Sequence, residues 1–250
     1  MKMLPPHSNA TGFTLVEMAL VLLIIGVLTR AGIAPLYEVQ SARQIRQAQA
    51  QLQRIKQSVQ AYVVANGVLP CPVTLRAHTL VTRNTEEAAC ATAQAGVTGH
   101  GGVPARLLGI EGPVDANGSL LDPWNNPYRL AVSMVNHADY GNPDLADWLH
   151  VGEASSIGLS QLQADLVLCM ESVAGHCPND KVRAHEIAYI AWTLGADDSR
   201  SGAQGENQDQ DLVFVLQEPS IHAEAPFDDQ LVWGARTDVI YWLLRAAWLP

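Results

Sequence analysis

Hydrophobic positions change their spacing several times along the chain, and each change predicts a different kind of element. Residues 13–34 are almost continuously apolar, with Glu17 and Arg30 their only charges. At about 1.5 Å per residue such a helix covers about 33 Å, close to the hydrocarbon thickness of a bilayer. Beyond it the spacing becomes heptad-like: Ile45, Leu52 and Val59 form one series and Ala48, Ile55 and Tyr62 a second, offset by three. Together they make a single apolar seam on a surface otherwise rich in Gln and Arg. A self-associating coiled coil would use a longer seam without small Ala48, so packing against the chain's own domain is expected. Asn66-Gly67 supplies a helix stop and Leu69-Pro70 a break. Residues 13–66 would then be one helix of about 80 Å, with Pro35 and Gly32 predicting a kink or a melted stretch within it.

Between residues 70 and 127 periodicity disappears and Gly, Pro, Asn and Thr accumulate. His100-Gly101-Gly102 reads as flexible loop. Asp122-Pro123-Trp124-Asn125 reads as a hydrogen-bonded turn, with Asp122, Trp124 and Tyr128 as fold residues and Trp124 plugging the core. Strands are expected at 129–134, 166–170, 187–194 and 212–216, from their length and β-branched or aromatic content. The simplest arrangement is an antiparallel sheet of about four strands covering the helix seam, an α+β fold with long loops. A closing helix is expected from about Asp238, capped by Thr237 or Asp238, with Ile240, Leu243, Leu244, Ala247 and Trp248 on its apolar face.

Charge and cysteines add a compartment to this picture. Residues 67–250 hold nine Lys/Arg against twenty-three Asp/Glu, a formal charge of −14 by count. That argues against nucleic acid as a partner, because phosphate contacts need clustered cations. Cys71, Cys90, Cys169 and Cys177 all follow the apolar segment, and an even number in an exported domain suggests two disulfides. Of three connectivities the sequence-local pairs, Cys71 with Cys90 and Cys169 with Cys177, are favoured. Zinc is the alternative, but no C-x-x-C pair or regular His spacing supports it. A cleaved secretory signal would need a small-residue site after the apolar core, and neither Thr29-Arg30-Ala31 nor Gly32-Ile33-Ala34 is a clean one. A carboxylate such as Glu17, near the start of a lipid-soluble segment, costs about 3 kcal/mol at mid-membrane and marks function.

Gly12-Phe13-Thr14-Leu15-Val16-Glu17 followed by the apolar run resembles the N-terminus of type IV pilins and of the pseudopilins of type II secretion. The later segments Gly67-Val68-Leu69-Pro70-Cys71-Pro72, Asp122-Pro123-Trp124-Asn125, Glu206-Asn207-Gln208-Asp209 and Asp228-Asp229-Gln230-Leu231-Val232-Trp233 are similar to parts of larger-headed, minor-pilin-like members. The resemblance implies a leader (1–12), a transmembrane helix (13–35), an amphipathic stem helix (36–66) and a periplasmic head (67–250). It implies cleavage between Gly12 and Phe13 by a prepilin peptidase and methylation of the Phe13 amino group. The helix is then retained, anchoring a single-pass subunit in the bilayer of the bacterial inner membrane, where an assembly platform builds it into a filament with other pilin or pseudopilin subunits. Glu17 would pair with the Phe13 ammonium of a neighbouring subunit. The blander alternative is that Glu17 reaches the headgroups or its own terminus. Pro35 lies one residue beyond the proline usual in the family.

Asp197, Asp198, Glu206, Asn207, Asp209 and Asp211 offer hard oxygen ligands, and some pseudopilins hold calcium in a late loop. Their spacing is not that of an EF-hand, which leaves a solvated acidic loop as the alternative. An enzyme is not expected, since G-x-S-x-G, H-E-x-x-H and the phosphate-binding G-x-x-x-x-G-K are all missing and the histidines are scattered. His176, Cys177, His185 and Glu186 are read as a disulfide loop beside a strand in preference to a metal site. Two functions stay open: a structural filament subunit, or a membrane-anchored module whose acidic head recognises a secreted substrate or surface ligand.

Overall fold

The computed structural model describes residues 14–67, 69–73, 99–133, 164–196, 205, 207–209, 211–217 and 229–247, with 27–38 described by backbone only. The chain divides into two units, Met1–Gln44 and Ile45–Pro250. Helix α1 is Leu15–Asn66, and its helical assignment is unbroken through residue 35, where the sequence suggested local melting. It starts on Thr14, whose Oγ1 accepts the Glu17 amide at 3.3 Å. It ends on Gly67, which takes the left-handed conformation (φ 75°) and donates its amide to the Val63 carbonyl at 2.8 Å.

Within the second unit the buried face of α1 is Ala48, Leu52, Ile55, Val59 and Val63. Ile45, which the heptad reading placed in the seam, is 37% exposed, and Val63 takes the place expected for Tyr62, which is only partly buried. A seam stepping by 4, 3, 4 and 4 follows the 3.6-residue turn of a straight helix better than a strict heptad does.

The strands are β1 (His100–Gly102), β2 (Arg129–Val132), β3 (Leu166–Cys169), β4 (Val182–Thr193), β5 (Val213–Val215) and β6 (Gln230–Ala235), followed by helix α2 (Arg236–Arg245). The fold-class expectation is therefore corrected in its sheet. Six strands replace about four, and the sheet is mixed, because β3 and β5 run parallel while the other pairings are antiparallel. The membrane-spanning half of that expectation is corrected too: among the described residues no helix is long and apolar enough to cross a membrane.

Strand β4 organises the sheet. Tyr189 pairs with Val132 on one edge and Gly234 on the other, and Ile187 pairs with Leu166 and Ala235. So β2 and β3 follow one another along one edge of β4, while β6 occupies the opposite edge. Both faces are covered as well. Leu130, Val132, Ala188, Tyr189 and Ala191 pack in the cluster that holds the α1 seam together with Val239 and Leu243 of α2. Ala131, Ile187, Ile190 and Trp192 join Leu166, Leu168, Phe214 and Leu231 in a second cluster. A strand buried on both faces shows an apolar run without clean alternation, as 187–192 does.

Two strands escaped the sequence reading. His100-Gly101-Gly102 is an edge strand and not a flexible loop, and its glycine is sterically required: a Cβ at Gly101 would lie 2.3 Å from the Val73 carbonyl oxygen. The 69–73 segment crosses there, with Val73 and Gly102 exchanging both backbone hydrogen bonds at 2.8 and 2.7 Å. Strand β6 lies where the sequence reading expected no strand. The closing helix begins earlier than expected, with Ala235 as its cap and Asp238 Oδ2 accepting the Ala235 amide at 3.4 Å. Its buried residues are Val239 and Leu243, while Leu244 is 40% exposed and Trp248 lies outside the described residues. Trp124 is half-buried and not a core plug; the turn is held instead by Asp122.

Gly234 faces the ring of Tyr189, where an added Cβ would come within 2.2 Å of Cε1. Gly234→Ala is expected to destabilise the protein by about 2 kcal/mol or more, since overpacking a closed core costs about 1–3 kcal/mol. Urea unfolding of the variant checks this, and an unchanged midpoint would contradict the packing described.

Candidate functional site

In the first unit the sequence-predicted residues cluster at the start of α1. Gly12 and Phe13 lie outside the described residues. Glu17 sits in the first helical turn, where a negative charge favours the positive end of the helix dipole, and its side chain is exposed. Around it Leu15, Val16, Met18, Leu20, Val21, Leu22, Leu23, Ile24 and Ile25 are all exposed, from 40% to 88%. Nine apolar side chains in eleven residues cover every side of a helix, so no single polar face is available to water. Contiguous exposed apolar surface of this kind is the usual mark of an interaction site.

In the second unit the acidic loop proves to be a clasp. The Asn207 carboxamide pairs with strand β5 as another strand would: Val215 donates its amide to Asn207 Oδ1 at 2.7 Å, and Asn207 Nδ2 donates to the Val215 carbonyl at 3.0 Å. The same Nδ2 donates to Asp229 Oδ2 at 2.8 Å, next to the start of β6. Both side chains are buried, which strengthens these bonds and makes their loss costly. Asn207 is thus committed to the fold and not offered to a ligand. Asp211 Oδ1 accepts the Val213 amide at 2.7 Å and Asp209 Oδ1 the Asp211 amide at 3.1 Å. Among the described residues no group of three or more His, Cys, Asp or Glu is arranged to hold a metal ion. Asp197, Asp198 and Glu206, the remaining calcium candidates, lie outside the described residues.

Beside the clasp the curl of the sheet closes on itself. His100 of β1 stacks on Phe214 of β5, with centroids 5.6 Å apart and planes at 8°, although these strands stand at opposite ends of the pairing order. Trp192 of β4 meets both rings edge-on, at 6.3 Å from His100 and 5.0 Å from Phe214. Burial pushes the His100 pKa down from 6.5 to about 4, opposed by a hydrogen bond to the Asp211 backbone and by the charges of Asp209 and Asp165. Neutral imidazole is therefore the form that fits this stack.

The Asp122 turn is a second polar anchor. Its Oδ1 accepts the Trp124 and Asn126 amides at 2.9 and 2.8 Å, and its Oδ2 accepts the Thr193 hydroxyl at 2.5 Å. Asn126 Nδ2 donates to the Gly195 carbonyl at 3.1 Å, so the turn is bound to the end of β4. Burial raises the Asp122 pKa in spite of these donors. Cys169 and Cys177 are joined, with Cα atoms 5.9 Å apart, around a hairpin whose corner is Ala174 and Gly175, both at positive φ. Cys71 is also disulfide-bonded, and Cys90 lies outside the described residues. Thr193, Asp229 and His100 were missed as anchors because their partners are 71, 22 and 114 positions away in sequence, the last counted from His100 to Phe214.

No protein-family model matches the chain, and neither a curated protein nor a solved structure matches it.

Asn207→Asp is expected to cost about 3 kcal/mol or more, because it replaces the Nδ2 donor with a carboxylate oxygen facing Asp229 and the Val215 carbonyl. Chemical denaturation of the variant measures the loss; wild-type stability would refute the clasp. Acid titration tests the aromatic stack. The unfolded chain protonates His100 near 6.5 and the folded chain only near about 4, so the contribution is complete above about 6.5 and lost as pH falls toward about 4. His100→Phe, which keeps the stacking but cannot titrate, should lose less stability than wild type over that window. Parallel pH profiles would show otherwise.

Proposed function

We propose that this chain is a structural assembly subunit, a minor pilin or pseudopilin of a type IV pilus or type II secretion pseudopilus, with no catalytic activity of its own. The observation that carries the reading is the uncovered start of α1: a helix apolar on every side, with Glu17 as the one carboxylate in its described apolar portion. The prepilin-like order Gly12, Phe13, Glu17 supports it from the sequence. In this reading a prepilin peptidase cuts after Gly12, and the apolar segment holds the subunit at the inner membrane. An assembly platform then transfers that segment into a filament, where helices of other pilin or pseudopilin subunits cover it.

Glu17 has a defined role in that transfer. A carboxylate among apolar helices is costly unless a cation meets it, and the amino group that cleavage would create on Phe13 of an adjacent subunit would supply one. Their pairing offsets the cost at one axial stagger only, so a single charge pair sets register while dispersion and burial supply most of the cohesion.

Glu17→Leu should leave membrane association intact and abolish or strongly reduce incorporation into filaments. Fractionation of membranes and of sheared filaments measures both. Incorporation equal to wild type would remove the pairing role.

A further inference from the structure

The hairpin loop Asp115-Ala116-Asn117-Gly118-Ser119 is held by its own backbone and one carboxylate. Asp115 Oδ1 accepts the amides of Asn117 and Ser119, both at 2.8 Å. The Gly118 amide donates to the Asp115 carbonyl at 3.2 Å, and the Asp115 amide to the Ser119 carbonyl at 2.9 Å. Gly118 takes a left-handed φ of 90°, which this corner demands of its residue. Aspartate, asparagine and glycine are thus what turn chemistry asks for at these positions. Ser119 is not explained in that way. It is fully enclosed, and its Oγ has no hydrogen-bond partner among the described residues. Alanine would serve the fold as well, without the cost of a buried, unpaired hydroxyl.

Asn117 has the opposite character. It stands at the corner of the loop, partly exposed beside exposed Ala116, and its carboxamide makes no hydrogen bond among the described residues while its backbone amide is bound. Glu111, Gly112, Pro113 and Val114, which lead into the loop, are exposed too, so the corner is open to solvent.

We infer that Asn117 is an N-glycosylation site, the acceptor of a saccharide from a lipid-pyrophosphate donor, and that the Ser119 hydroxyl serves the transferring enzyme. Asn117-Gly118-Ser119 has the Asn-x-Ser order that such transfer requires, with x other than proline. In the reaction Asn117 Nδ2 bonds to the anomeric carbon of the sugar, and that carbon's bond to the pyrophosphate oxygen breaks. The lipid pyrophosphate leaves with the bonding electrons, and the proton displaced from Nδ2 passes to a base of the enzyme. The hydroxyl two residues on is the group by which the acceptor is gripped. Because the fold hides Ser119, that grip precedes closure of the hairpin: the chain is modified while extended and then folds with the sugar outside, on a side chain the structure leaves free. The inference takes from the assembly reading only the export of the head, which the Cys169–Cys177 disulfide also favours.

Full-length chain purified from membranes of the cells that make it, digested and read by tandem mass spectrometry, tests this. The peptide holding Asn117 should carry a mass increment of whole sugar residues, lost in Asn117→Gln and in Ser119→Ala and kept in Ser119→Thr. Unmodified Ser119→Ala should melt at or above the temperature of unmodified wild type, because it gives up only an unpaired hydroxyl. A lower melting temperature would assign Ser119 to the fold and overturn its proposed role. A bare Asn117 in wild type, a sugar carried only on serine or threonine hydroxyls, or an increment that survives Ser119→Ala overturns the proposal as a whole. Normal filament incorporation of Glu17→Leu would sink the assembly reading and leave Asn117 modified, so the two failures are distinguishable.

Discussion

Strand β4 has no free edge along 187–192 and no free face, and the rest of the head is arranged to satisfy it. Its backbone is paired with β2 and β3 on one side and β6 on the other. Its side chains divide between a cluster under α1 and α2 and a cluster closed by Phe214 and Leu231. The cost of burying peptide groups is met on both edges, so the apolar residues 187–192 can be enclosed completely. Each covering element in turn fits only because of a local accommodation at β4. Gly234 leaves room for the Tyr189 ring, Glu186 takes a positive φ where the β3 register shifts, and Thr193 hands its hydroxyl to Asp122.

The sheet curls far enough for its first and fifth strands to touch through His100 and Phe214, and that curl creates the need for the Asn207 clasp. β5 is a three-residue strand paired in parallel with β3, and its other edge would be open. Asn207 fills the edge with one side chain that imitates a peptide group, and Asp229 ties the same amide to β6. A short edge protected in this way is closed to intermolecular strand addition. The disulfide between Cys169 and Cys177 secures the neighbouring end of β3.

The two units differ in what they leave uncovered. In Ile45–Pro250 the described large apolar residues are mostly enclosed, whereas at the start of α1 they are exposed on all sides. A chain that finishes one core and leaves a second apolar surface open needs a partner phase for the second. In the assembly proposed above, Glu17 gives that surface a polar address, since a lone carboxylate would make one alignment of partners better than its neighbours.

Much of this was readable without coordinates wherever the information was local. Thr14 beside Glu17, Gly67 after Asn66, the seam from Ala48 to Val59, the Asp122 turn and the short Cys169–Cys177 loop all depend on residues within about one turn or one hairpin of each other. The long apolar run and the charge split between stem and head are also properties of sequence alone. What sequence did not decide was everything set by partners far along the chain. The parallel entry of β5, the strand character of Gly-rich His100–Gly102, the structural use of Asn207 and the exposure of Ile45 follow from which backbones meet, and local spacing carries no record of that. A glycine in a loop and a glycine under a crossing strand look alike until Val73 is placed above Gly101. The sequence by itself determined an apolar helix start with one carboxylate and a separate acidic head; only the tertiary structure decided that the acidic loop's asparagine holds the sheet together, because its partners lie on β5 and beside β6.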